Sequence, residues 1–70
     1  MTAKEFDFRG YRCPLPVLKA RKVLKGIAPG TSVRFLVDDP KAPNDFRDFA
    51  TITGHRILSA TKDAIVIQVS

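Results

Sequence analysis

Polar and apolar residues alternate through Glu5-Phe6-Asp7-Phe8, the two-residue period of a half-buried strand, and Gly10 breaks the pattern. From Pro14 to about Gly26 the period changes. Val17, Ala20, Leu24 and Ile27 recur at helical spacing and predict one buried stripe on a helix. Cys13 falls at its N-cap and Pro14 at its first position, where a missing N–H costs nothing. Gly26 and the Pro29-Gly30 pair end it. Val33, Phe35 and Val37 alternate again, which predicts a second strand. The segment "DDPKAPND" reads as a turn rich in helix-start residues. A short helix should follow to about Thr53, with Phe46, Phe49 and Ala50 inward and Gly54 as its stop. "HRILSA" and "AIVIQV" are two further strands, joined through Thr61-Lys62-Asp63 as a hairpin.

The resulting order, βαβαββ, predicts an α+β fold: a two-layer α/β sandwich with both helices on one face of a mixed four-stranded sheet. "VRFLV" and "AIVIQV" are the most apolar strands and belong in the centre. The more polar "EFDF" and "HRILSA" suit the edges. Right-handed crossovers then favour the order 1-2-4-3, with the fourth strand antiparallel to the rest. In that topology Cys13 and the Asp38-Asp39 turn share the rim at the carboxyl ends of the first two strands, where open α/β sheets tend to carry their sites. His55 begins the third strand and falls on the opposite rim, roughly 17–20 Å away.

Composition narrows the picture further. Seventy residues predict a single domain, residues 1–70, with a modest core. One cysteine forbids an internal disulfide, and one cysteine with one histidine cannot close a zinc site, so neither metal nor cofactor is expected. A free thiol, with no apolar leader at the start and no apolar run long enough to span a bilayer, points to a reducing compartment such as the cytoplasm and to no membrane insertion, and a monomer is expected. The net charge of +5 suits acidic partners, protein or nucleic acid, without choosing between them.

The chemistry concentrates at Cys13. A helix N-terminus carries about half a positive charge. Thiol pKa values fall from ~8.5 to about 3.5–7.5 in such settings. Arg9 and Arg12 add to that field. Pro14 and Pro16 lack N–H groups, which leaves Leu15 as the one close donor and the sulfur anionic but lightly hydrogen-bonded. The opposing reading, a small buried hydrophobe, is what a free cysteine often is. On the outer helix face Leu15 and Leu18 lie among Lys19, Lys22 and Lys25, a combination that reads as a docking surface for an acidic partner beside the thiol.

The run "DFRGYRCPLPVLKARKVL" resembles the TusA, or SirA-like, family of sulfur carriers, whose mark is a Cys-Pro-x-Pro motif opening the first helix after a strand ending near Asp-x-Arg-Gly. Asp7, Arg9 and Gly10 fill the leading positions, and Cys13, Pro14 and Pro16 fill the motif. Asp38-Asp39-Pro40 and Gly54-His55 also stand where the family has such residues, so the resemblance covers essentially the whole chain. It implies that Cys13 carries sulfane sulfur as a persulfide. The sulfur would come from a desulfurase or rhodanese-like donor protein and pass to an acceptor thiol, toward tRNA thiolation or other sulfur metabolism. Such a carrier is consumed and regenerated within a pathway, so calling it an enzyme is partly a matter of naming. The sequence departs from the pattern at Phe49, where many members carry another aromatic, often Trp, and in the proline-rich "KAPND" turn.

Other candidates carry less. His55 as the base for Cys13 is disfavoured by its rim, and a structural or capping role near Gly54 is preferred. Adjacent Asp38 and Asp39 before Pro40 read as helix-start chemistry rather than a metal or acid–base pair. Asp7 could orient Arg9 or Arg12. Nucleic-acid binding, or a regulatory module using Leu36 and Val66 on the open sheet face, is the alternative class. Nucleic acid is the weaker partner, because Phe6, Phe8, Phe35, Phe46 and Phe49 take core positions and only Tyr11 is left to stack on a base.

Overall fold

The structure is a computed structural model that describes residues 4–12 and 15–70. The N-cap assignment of Cys13 and the first-turn assignment of Pro14 lie outside the described residues. The elements follow the predicted order: β1 (Lys4–Asp7), α1 (Leu15–Lys25), β2 (Ser32–Leu36), α2 (Ala42–Thr53), β3 (Arg56–Ala60) and β4 (Ala64–Gln68). The sheet runs β1-β2-β4-β3, with β1 parallel to β2 and β4 antiparallel to both its neighbours. The apolar strands are central because each must pair on two sides and bury one face.

One boundary differs from the expectation. The turn "DDPKAPND" is shorter than it reads, since α2 already begins at Ala42. Pro43 sits within its first turn, where its missing N–H breaks no helical bond. Proline there starts the helix rather than delaying it. Asp39 supports this start: its Oδ1 accepts the Lys41 N–H at 2.9 Å and its carbonyl accepts the Ala42 N–H at 3.0 Å. At the other end Gly54 adopts φ 84° and donates its N–H to the Ala50 carbonyl at 2.8 Å, a left-handed stop that side chains resist.

The core forms where the inner sheet face meets the helices. Phe35 of β2 is fully buried and stacks on Phe8 (ring centroids 5.1 Å apart), Phe6 (5.9 Å) and Phe46 of α2 (5.6 Å). Val33, Val37, Ile65 and Ile67 complete the buried sheet face, with Ala20 and Leu24 below α1. Val17 and Ile27, predicted in the same stripe, are only half-buried, packed at the margin of the core. Val17 sits in the first turn of this three-turn helix and Ile27 two residues past its end, so the stripe is deepest at the centre. On the outer face Leu36 and Val66 are half-buried. An irregularity between Ile57 and Ser59 turns Leu58 out to solvent.

Candidate functional site: the rim before the first helix

The register aligns Asp7 of β1 with Leu36 of β2, so both strands end on one rim. The chain then stays stitched together past the strands. Phe8 donates its N–H to the Leu36 carbonyl at 2.8 Å, and Val37 donates to the Asp63 carbonyl at 3.0 Å. Gly10 turns with φ 94°, and Tyr11 N–H returns to the Phe8 carbonyl at 3.2 Å. The segment leading to Cys13 is therefore hydrogen-bonded to the end of β2, as the parallel pairing requires.

Both arginines, read from the sequence as adding to the field at the thiol, are paired with carboxylates, Arg9 with the anticipated Asp7 and Arg12 with Asp38. Arg9 makes a two-pronged bond to Asp7, Nε to Oδ1 at 3.0 Å and Nη2 to Oδ2 at 2.8 Å, while its backbone N–H also reaches Oδ1 at 3.0 Å. These bonds pull the Asp7 carboxyl down to about 2. Arg12 Nη1 donates to Asp38 Oδ1 at 2.8 Å, and the same oxygen accepts the Gly10 N–H at 3.0 Å. The Gly10 amide, then the Arg12 guanidinium, hold Asp38 below the ordinary carboxylate range. Both arginines that precede the thiol in sequence are thus already engaged by carboxylates, so the field they offer an anion is smaller than the sequence suggests. Asp39 takes the helix-start role anticipated for the pair, whereas Asp38 ties the Gly10–Arg12 segment instead.

The helix entrance holds a second difference. The Leu15 N–H, expected to point at the sulfur, donates to the Arg12 carbonyl at 2.8 Å and links the residues on either side of positions 13 and 14. Pro16 is buried on the inner side of α1, so it packs as well as withholding a donor. No acidic side chain occupies the first turn of α1, while Lys22 and Lys25 sit in its last turn. The positive end of the helix dipole is therefore not quenched by the helix's own side chains.

Leu15 and Leu18 stand exposed on α1, with Lys19 and Lys22 exposed beside them. Lys19 Nζ lies 5.0 Å from the centroid of the Tyr11 ring, which in turn packs 5.7 Å from Phe8. Tyr11, expected to be available for stacking, is already engaged by Lys19 and Phe8. Leu18 also opens onto a feature the sequence did not reveal, a groove of about 410 Å³ between α1 and α2. Val17, Arg21, Asp45, Asp48, Phe49 and Ile52 line it, and Ile52 is 83% exposed. A signal existed in the placement of an isoleucine on the polar side of α2, but only the helix–helix packing sets it beside Leu18.

His55 stands at the other rim, where Arg56 pairs with Gln68 and Gln68 with Ser32 at the start of β2. Its Nδ1 accepts the Ser70 N–H at 3.1 Å and its ring packs 6.0 Å from Phe49. That is the structural role anticipated near Gly54. Among the described residues no cluster of His, Cys, Asp and Glu is placed to hold a metal, and no helix is long and apolar enough to cross a membrane.

The fold and this rim define a small α/β sandwich whose one cysteine follows a pinned loop and precedes a basic helix. The chain matches the sulfurtransferase TusA family over residues 4–70, and it belongs to that family. It is 33% identical over 60 residues to the sulfur carrier protein TusA of Allochromatium vinosum, covering 86% of this chain and 79% of that one. Proteins of Neisseria meningitidis serogroups A and B, named as proposed sulfur carriers, are each 39% identical over 62 residues, covering 89% of this chain and 84% of theirs.

Proposed function

We propose that this protein is a sulfur carrier that cycles Cys13 between thiol and persulfide. The thiolate attacks the outer sulfur of a donor persulfide, on a desulfurase or rhodanese-like protein. A new sulfur–sulfur bond forms at Cys13, the donor's bond breaks, and the donor leaves as a thiolate. An acceptor thiolate then repeats the step on the Cys13 persulfide, releasing Cys13 as a thiolate. The sulfane sulfur changes owner without net oxidation, so neither step requires a cofactor or metal. The end product is thiolated tRNA or another sulfur metabolite, and the carrier acts as a single-domain monomer in a reducing compartment such as the cytoplasm.

The observation that carries this reading is the family match across a chain whose only thiol follows the pinned Gly10–Arg12 segment. The unquenched first turn of α1 supports anion stabilisation more than Arg9 and Arg12 do, since both arginines are paired, and the two prolines leave the sulfur lightly hydrogen-bonded and open to attack. Leu15, Leu18, Lys19 and Lys22 form the docking face, and the groove beside Leu18 extends it to Ile52. Intact mass spectrometry after incubation with a cysteine desulfurase and cysteine tests the proposal. It should show the mass of one added sulfur on Cys13, removed by reductant and absent from Cys13→Ser. A wild-type protein that stays unloaded would reject it.

A further inference from the structure

A single carboxylate oxygen links two points of the loop that leads to the cysteine. Asp38 Oδ1 accepts the Gly10 N–H at 3.0 Å and the Arg12 Nη1–H at 2.8 Å. These partners lie 28 and 26 residues away in sequence, so the link exists only because β1 and β2 end together. We propose that Asp38 is a positioning residue for the sulfur-bearing loop: it fixes Gly10 and Arg12 against the end of β2 and engages the Arg12 charge that would otherwise act on the adjacent thiol. This role rests on the carrier reading and gives the carrier's thiol a residue that governs it.

Three observations support this role. The ion pair is exposed, with side chains 65% and 44% accessible, so as a source of stability it is weak. Its partners are nevertheless placed at both ends of the Gly10–Arg12 segment, and Arg12 is the residue directly before Cys13. The Arg12 carbonyl is held as well, by the Leu15 N–H at 2.8 Å. Arg12 is thus fixed through its side chain by β2 and through its backbone by α1. Around this pair, Asp38 also interacts with Arg9, which in turn interacts with Asp7 and Glu5, and Lys19 of α1 lies over Tyr11. Asp7 is already committed to Arg9, which leaves Asp38 as the carboxylate bonded to Arg12.

The thiolate is the reactive form, so alkylation of Cys13 by iodoacetamide across pH reads the local charge directly. Asp38→Asn keeps an oxygen for the Gly10 amide, removes the negative charge and releases the Arg12 cation. Its alkylation rate below the thiol's midpoint should rise about two- to fourfold, with the midpoint moving down and the high-pH plateau unchanged. Arg12→Gln should move the midpoint up, and the double variant should lie between the two singles. Asp38→Glu, which retains the charge, should restore the wild-type profile. An Asp38→Asn profile superimposable on wild type would overturn the proposal. So would equal shifts in Asp38→Asn and Asp38→Glu together with a lowered melting temperature, because that pattern marks general loosening. Alkylation requires no sulfur donor, so this test is decided even if Cys13 never loads with sulfur.

Discussion

Replacing Leu18 and Ile52 by alanine separates docking from folding. The two side chains are 50% and 83% exposed and open onto the same groove. Burying one methylene is worth about 0.8 kcal/mol, and alanine removes the three carbons beyond Cβ from each residue. Weighted by present exposure, a partner that seals the groove gains about 1 kcal/mol from those carbons of Leu18 and about 2 kcal/mol from those of Ile52. The double variant should then bind about a hundredfold more weakly, near 3 kcal/mol. The cost to folding is the complement: negligible for Ile52 and about 1 kcal/mol for Leu18, which a chain of this size tolerates. The assay is titration calorimetry against a cysteine desulfurase, with sulfur hand-over measured at low donor concentration. Iodoacetamide alkylation of Cys13 and a thermal melt serve as controls. A donor affinity within about threefold of wild type, in a folded protein, would refute the reasoning. A partner that covered both side chains would have to remove that apolar surface from water, and so gain the corresponding transfer free energy.

Reversing charge with Lys19→Glu and Lys22→Glu should slow hand-over and weaken its dependence on ionic strength, measured as transfer rate against salt, while a rate equal to wild type would remove the basic face from docking. Phe35→Ala deletes a fully buried ring that stacks on Phe6, Phe8 and Phe46, and should cost about 3–5 kcal/mol, enough to shift a urea melt to near or below its starting point. Acid acts on the rim through Asp7 and Asp38, whose carboxyls are lowered by Arg9 and by Gly10 with Arg12. A depressed folded-state pKa gives stabilisation that is full above the unfolded value of about 3.9 and is lost as pH falls through the folded one. Carboxyl-carbon NMR should therefore find Asp7 still ionised at about pH 3, with a midpoint at about 2, and a midpoint near the unfolded value would contradict the Arg9 contact.

Much of this architecture is written locally. The two-residue period of β1, β2 and β4, the helical spacing of Ala20 and Leu24, and the Gly54 stop each act over a few neighbours. Strand order was legible as well, because polarity sorts edge from centre. The thiol, the two prolines and the lysines of α1 are likewise matters of residue type and spacing.

The partner of Arg12 was decided by the tertiary structure. The Arg9–Asp7 pair is local and could be anticipated, but Arg12 meets Asp38 because the β1–β2 register brings residues 26 apart to one rim. Helix packing likewise sets Leu18 beside Ile52, and the turn at Gly10 brings Tyr11 beneath Lys19. The reason is range. Periodicity and capping depend on neighbours along the chain, whereas a long flexible side chain finds its partner only after the backbone has brought distant segments within a few ångströms.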